Sequence, residues 1–346
     1  MKTKGPSEGS ALQLGLSMSV PSREDLDQHE LQDADLHRFA VRVSRVVLDR
    51  QGAIVSGHDW RPRGIMKALV EFARRYANAI EDSSHASPRV RNFLAWPDRP
   101  LLDENERAGL AHVLSVEGLS LPSWCSRALD GLSNDEATRE RIVRMLAFSE
   151  LRRHLSEQTS ARVCIGGKVA GYRGRYPGVV EETALALARN QPVYLLSWAG
   201  GATSEVIDLL RSGKVAAFAK RADARVDPRL LAAFDSVKPS IRAYAGKGAP
   251  KWLPPGARPW EWSLSSMLKF IYARRTLFAT QHNGLSSKEN EELWSTASVD
   301  VSIDLILRGL SRLGLTGSQH RLAKKVPKPA SRRTKKRVVP ARPRRR

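Results

Sequence analysis

RVCIGGKVAGYRGRYPGVVEETALALARNQPVYLLSWAGGATSEVIDLL, residues 162–210, is the stretch whose reading decides the fold. Two short apolar runs, ARVCIGG and PVYLLSW, flank a helical pattern, GVVEETALALARN, and a second one, TSEVIDLLRS, follows. Strand, glycine-rich turn and helix, repeated, predict a parallel α/β sheet. A core alone does not require so many residues without side chains. Glycine lets a backbone adopt positive φ and approach a ligand closely. Helix N-termini offer free N–H groups that suit phosphate. In doubly wound sheets ligands bind beyond the carboxyl ends of the strands, where turns like these lead into helices.

Outward from this stretch the same alternation continues. ALQLGLSMSV (11–20) predicts a first strand and LHRFAVRVSRVVLDR (36–50) a helix with Phe39, Val43, Val46 and Val47 on one face. AIVSG (53–57) predicts a second strand, IMKALVEFARRYANAI (65–80) a helix and RNFLAW (91–96) a third strand. NDEATRERIVRMLAFSELRRHLSEQ (134–158) predicts a helix capped by Asn134 or Asp135, with Ile142, Leu146 and Leu151 inward. Beyond Lys214 the pattern loosens, and Pro254, Pro255 and Pro259 interrupt it. Two helices are expected in 263–281 and 298–313. The fold class is therefore α/β: a Rossmann-like parallel sheet with helices on both faces. The expected organisation is a short disordered lead (1–10), a nucleotide-binding body (11–213), a helical appendage of the same domain (214–315) and a disordered polybasic tail (316–346).

The chain has 346 residues, 41% of them hydrophobic, and a net charge of +21, enough apolar sequence for a large core. From Arg321 onward no acidic residue occurs, prolines are frequent and much of the excess charge is collected, with Lys335, Lys336 and Arg337 at its centre. Such a segment builds no core. It reads either as a salt-dependent, nonspecific nucleic-acid contact or as a solubilising tail, since it lacks aromatics for base stacking. Two cysteines, Cys125 and Cys164, exclude a disulfide framework and fit a reducing cytoplasm. No run approaches the length of a membrane span, and MKTKGPSEGS has no apolar segment behind its charges, so it does not read as a secretory signal.

Four strand ends carry candidate ligand contacts: Gly15 and Ser17 on the first; Gly57, His58, Asp59 and Arg61 after the second; Gly166, Gly167, Arg173, Arg175 and Gly178 after ARVCI; Gly200, Gly201 and Thr203 after PVYLLSW. Each also has a plain structural reading. A Gly-Gly pair makes a tight turn, Glu181 and Glu182 complement a helix dipole, the arginines solvate a surface, and Trp60, Trp96 and Trp198 either stack on a base or cap the core. His58 and Asp59 form an acid–base pair only if they point the same way. The combination argues for one site, because all four turns fall on one edge of one sheet. No metal-ligand spacing, Walker motif or Gly-x-Ser-x-Gly elbow occurs.

GHDWRPRG, NFLAWP, IGGKVAGYRGRYPGVVEETALAL, PVYLLSWAGGAT and NGLSSKENEELW together resemble the SLOG superfamily of Smf- and Lonely Guy-like domains, over about residues 11–315 and in particular a branch associated with bacterial defence. The resemblance implies a Rossmann-like fold and a nucleotide-derived ligand such as NAD or an ADP-ribose derivative; no other cofactor is indicated by the sequence. Lonely Guy phosphoribohydrolases carry Pro-Gly-Gly-x-Gly-Thr-x-x-Glu and a helix arginine. Aligned on the glutamate, Gly178 stands at the glycine before the threonine and Glu181 at the catalytic glutamate. Val179 then replaces the threonine, Arg175 and Tyr176 replace the first two glycines, and Arg152 or Arg153 supplies the helix arginine. These departures leave the binding site in place and weaken the hydrolase reading. In that reading Glu181 faces ribose and an oxocarbenium-like transition state, an arginine holds phosphate, and Glu182 is the more tolerant neighbour. The functions open at this point are ligand sensing, N-glycosidic hydrolysis or transfer, and nucleic-acid binding by the tail, with homo-oligomerisation undetermined.

Overall fold

Period-two burial sets the layers. Ile54 packs with Leu36, Phe39 and Val43 in one apolar cluster, while its neighbour Val55 packs with Phe148, Leu151 and Leu155 in another. Adjacent strand residues point to opposite faces, so helices cover both sides of the sheet. The computed structural model describes residues 11–57, 59–61, 64–79, 88–129, 135–223, 226–245 and 262–315. In chain order the first half comprises β1 (Gln13–Ser19), α1 (Arg23–Gln28), α2 (Asp33–Asp49), β2 (Ala53–Gly57), α3 (Met66–Ala79), β3 (Val90–Leu94), α4 (Glu104–Leu110), β4 (Leu114–Gly118), α5 (Trp124–Leu129) and α6 (Glu136–Glu157). The second half comprises β5 (Ala161–Gly166), α7 (Gly178–Ala188), β6 (Val193–Leu196), α8 (Gly201–Ser212), α9 (Val215–Asp223), α10 (Pro228–Ala245), α11 (Leu264–Ala273), α12 (Thr276–Ala279), α13 (Ser287–Ser295) and α14 (Val299–Arg312).

The six strands lie in the order β4-β3-β2-β1-β5-β6, and every pairing is parallel. This is the expected Rossmann-like α/β fold. The order reverses between β1 and β5, where Leu14 pairs with Ala161 and Ser19 with Gly166. That switch point is the crevice position of doubly wound sheets. Residues of α11 to α14, among them Met267, Leu268, Leu293 and Ile306, join the same hydrophobic core as the sheet. α10 packs instead with α5 and α6 around Cys125, Ile142 and Phe234.

Several features depart from the sequence reading, among them the short helices α1, α4, α5 and α13, which it did not contain. The edge strand β4 is additional; only Leu114 of its five residues is buried, which removes the apolar signal. α9 and α10 occupy the stretch where periodicity loosens, and α10 carries Pro239 inside it. The helix expected over 263–281 is two helices, broken at Arg274 and Arg275. The expected lead (1–10) and tail (316–346), with Lys335, Lys336 and Arg337, lie outside the described residues, as does His58. Among the described residues no helix is long and apolar enough to cross a membrane.

Candidate functional site at the β1–β5 switch point

The two glycine pairs lie together at the carboxyl edge of the sheet. Gly166, Gly167, Gly200 and Gly201 all have φ between 63° and 88°, a region costly for residues with a Cβ. The turns interlock: the Ala202 amide donates to the Gly167 carbonyl at 2.9 Å, and the Thr203 hydroxyl donates to the Gly166 carbonyl at 3.0 Å. A Cβ on Gly167 would lie 2.6 Å from Val179, and one on Gly201 2.9 Å from Pro21. These glycines are therefore required by close approach of β1, β5, α7 and α8. The Thr203 hydroxyl and the Ala202 amide are committed to the turn itself. Neither α7, capped by Pro177, nor α8, capped by Gly200, has a side-chain N-cap bond, so other first-turn N–H groups lack a capping side chain.

A cleft of about 690 Å³ opens beside these turns, lined by Pro21, Ser22, Arg23, Asp25, Lys168 and Arg221 among others. One wall is α1, an element absent from the sequence reading. Its signal was Ser22-Arg23-Glu24-Asp25, a reciprocal capping pair in which Ser22 and Asp25 satisfy each other's amides. His29, immediately after α1, sits over Gly200, with ring atoms 2.9–3.0 Å from where a Cβ would be. A second cleft, of about 570 Å³ around Gln13, Gly52, Pro88 and Arg89, lies at the opposite edge of the sheet, away from the glycine turns.

Beneath the 167–178 turn lies a buried ion pair. Arg152 of α6 donates to Glu181 of α7, and their side chains are 8% and 0% exposed. The Arg152 guanidinium packs against Gly174 and Gly178: Cβ atoms there would lie 2.6 and 3.0 Å from its nitrogens. The second carboxylate oxygen of Glu181, Oε1, is buried without a hydrogen-bond partner among the described residues. The two residues named as a catalytic pair from sequence are thus in contact and covered by the turn.

Glu182, anticipated as the more tolerant neighbour, is itself ion-paired. It accepts from Arg162 at 2.6 Å and from Ser17, and Arg162 also donates to Ser17 at 2.8 Å. Arg162 is 1% exposed. Gly15 is the third residue of β1, and the missing Cβ leaves room for the Arg162 guanidinium, 3.2 Å away. Gly15 and Ser17 therefore serve an internal ionic network between β1, β5 and α7, and neither lies at the strand end. The glutamate register needs the same correction. With Gly178 before the threonine position and Val179 at it, the motif's glutamate falls three residues on, at Glu182 rather than Glu181. Glu181 retains its place through its contact with Arg152 alone.

The remaining candidates separate into distinct environments. Gly57, at the end of β2, makes room for Leu155 of α6. Asp59, with φ 71°, is buried and accepts from the Ile65 amide at 3.2 Å and from Arg61 Nε at 2.7 Å, which ties it to the start of α3. Arg173 is half exposed and lies 4.0 Å from Asp98, which also pairs with Arg144. Arg175 is buried against the rings of Tyr176 and Phe234. Trp198 packs in the core against Phe39, Trp60 donates to Asn92, and Trp96 is exposed beyond β3. Burial raises the Cys164 thiol to about 11, and its sulfur contacts Thr183, so it is an interior group. Among the described residues no group of three or more His, Cys, Asp or Glu side chains has the arrangement of a metal site.

The family described as SLOG cluster2 matches residues 10–293, so the chain belongs to that SLOG family. No curated protein matches it.

Proposed function

Proceeding from membership of the SLOG cluster2 family, which supports a nucleotide-related ligand-binding or processing role, we propose that the protein binds a nucleotide-derived molecule of the NAD or ADP-ribose type in the switch-point crevice. The observation that carries this reading is the pair of interlocked positive-φ turns, Gly166–Gly167 and Gly200–Gly201, beside uncapped helix N-termini and an open cleft. Backbone without side chains at the carboxyl edge leaves a ligand's phosphates within reach of N–H groups. A role in a bacterial defence or signalling system, which follows the sequence resemblance, and a cytoplasmic location, which follows the cysteine usage, are part of the proposal.

A second reading, N-glycosidic hydrolysis or transfer, is favoured by one observation: at the start of α7, beside a buried arginine, Glu181 keeps a carboxylate oxygen that has no partner among the described residues. In that chemistry the carboxylate stabilises positive charge developing at the ribose, and Arg152 positions it. Water must reach the pair, which requires the 167–178 turn to lift. A third reading, nucleic-acid binding through the tail, rests on its charge alone.

The test is ligand-induced thermal shift of the full chain with NAD, ADP-ribose, cyclic ADP-ribose and nucleoside monophosphates, with chromatography of the same mixtures for released base. Stabilisation by one of these without base release supports binding. Base release supports the second reading, and no response to any of them sinks both.

A further inference from the structure

Arg175 occupies an environment that none of the interior pairs explains. It stands in the turn between β5 and α7, three residues ahead of Gly178, and is 7% exposed. Its guanidinium carbon lies 5.1 Å from the centre of the Tyr176 ring and 5.4 Å from that of Phe234 on α10. Tyr176 is fixed in turn, buried, with its hydroxyl donating to the Trp262 carbonyl. Nε and Nη1 of Arg175 are both buried and have no hydrogen-bond partner among the described residues. The contrast with the other buried arginines is direct: Arg152 has Glu181, and Arg162 has Glu182 and Ser17.

A guanidinium stays protonated at any pH a protein tolerates. Burying its charge without an anion is costly, and contacts with two ring faces offset only part of that cost. Planar N–H donors in a low-dielectric setting bind phosphate strongly and directionally. The nearest helix start, α7, adds a partial positive charge and has no side-chain cap. Arg175 thus lies three residues ahead of the α7 N-terminus and against Phe234 of α10, with buried donors that no anion among the described residues answers.

We infer that Arg175 is the receptor for a phosphate group of the nucleotide-derived ligand, held in a pocket between the 172–178 turn and α10. This deepens the function proposed above and rests on it for the nucleotide part only. It makes α10, outside the sheet body, a wall of the site. The phosphate lies towards Phe234, and the remainder of the ligand extends towards the glycine turns.

The experiment uses full-length protein with inorganic pyrophosphate, ADP-ribose and adenosine as probes, read by thermal shift and isothermal titration calorimetry. Arg175→Met removes the charge and keeps the apolar stem. The expected result is a ligand-free melting temperature equal to or above wild type, with affinity for pyrophosphate and ADP-ribose at least tenfold weaker. Arg175→Lys, which keeps the charge but not the planar fork, is expected to fall between them, and it carries the test if Arg175→Met does not fold. Undiminished pyrophosphate binding in Arg175→Met, or in that event in Arg175→Lys, overturns the proposal, as does wild type that answers neither phosphate compound. Adenosine binding without any phosphate response refutes the Arg175 role and leaves the nucleotide reading standing. Arg175-dependent pyrophosphate binding without any nucleotide response upholds the anion site and refutes the nucleotide reading. Glu261 directly precedes Trp262 in the sequence. If Glu261→Gln destabilises the free protein and adding Arg175→Met restores it, an internal carboxylate serves Arg175 and the proposal fails.

Discussion

Replacing Glu181 by glutamine separates a helix-end carboxylate from a buried partner. If Glu181 merely complements the α7 dipole, its loss costs about 0.3–1 kcal/mol. Its side chain is 0% exposed and its partner Arg152 8% exposed, so the change leaves a guanidinium buried without its anion. Breaking such pairs costs about 3–5 kcal/mol. Glutamine still offers an acceptor to Arg152, worth about 1 kcal/mol, so the expected loss is about 2–4 kcal/mol, read from urea unfolding at constant slope. The double variant Glu181→Leu with Arg152→Met removes both charges and is expected to recover most of that loss. It also isolates function. If the pair serves the ligand, the double variant folds but binds more than tenfold more weakly, about 1.4 kcal/mol, and releases no base. A Glu181→Gln cost below about 1 kcal/mol, or a double variant no more stable than the single, would falsify the buried-pair reasoning. A stable double variant with unchanged ligand response would leave the pair a structural element only.

Glu182→Gln is expected to cost a similar 2–4 kcal/mol, because Arg162 is 1% exposed and depends on it; a loss under 1 kcal/mol would show the Ser17–Arg162–Glu182 network to be dispensable. Gly201→Ala combines left-handed strain with a steric conflict against Pro21 and the Gly167 carbonyl, for about 2–4 kcal/mol. Gly171→Ala, at the same kind of φ but with open space around it, is expected to cost only about 1–2 kcal/mol, and equal losses in denaturant melts would contradict the interlocked-turn account. Burial holds His154 and His282 below their usual 6.5, in His154 with help from Arg153. The unfolded chain then binds more protons, so stability is full above that value and falls as pH drops through it; unfolding midpoints are expected to decline between pH 7.5 and 5.5, and a flat profile counts against this. Deleting residues 321–346 is expected to leave folding and nucleotide response intact while weakening DNA or RNA binding and flattening its salt slope, as measured by fluorescence anisotropy across a salt series.

The parallel sheet was legible because β5 and β6 are continuous apolar runs with glycines at their ends, and α7 and α8 start where the glycines stop. Convergence of the two turns followed from the rule that parallel strands place their carboxyl ends on one edge. β4 escaped because Ser115, Glu117 and Gly118 make a half-solvated edge strand look like a loop. The roles of Ser17 and Gly15 were misread for a different reason. A small residue on a strand looks the same whether it faces a ligand or makes room for a neighbour, and the neighbour here, Arg162, is 147 positions away in sequence from Gly15. Only the β1–β5 register, Gly15 beside Arg162, reveals it. The choice between adjacent glutamates likewise needs the rotation of α7, which directs Glu181 to Arg152 and Glu182 to Arg162.

The β1–β5 seam also orders events in time. β1 to β4 are complete by residue 118, whereas the partner for the other edge of β1 begins at Ala161. Until then β1 is an open edge, and its Leu14, Gly15, Leu16 and Ser17, buried in the finished protein, present unpaired backbone to any passing strand. Closing this seam joins distant residues and carries the entropy of a long loop, so it forms late relative to the local pairings. The crevice proposed to hold the ligand lies on that same seam. If that proposal holds, a newly made chain gains its recognition surface and covers the open edge of β1 in a single step, and a ligand present at that moment would favour the closed register over misassembly with a second chain.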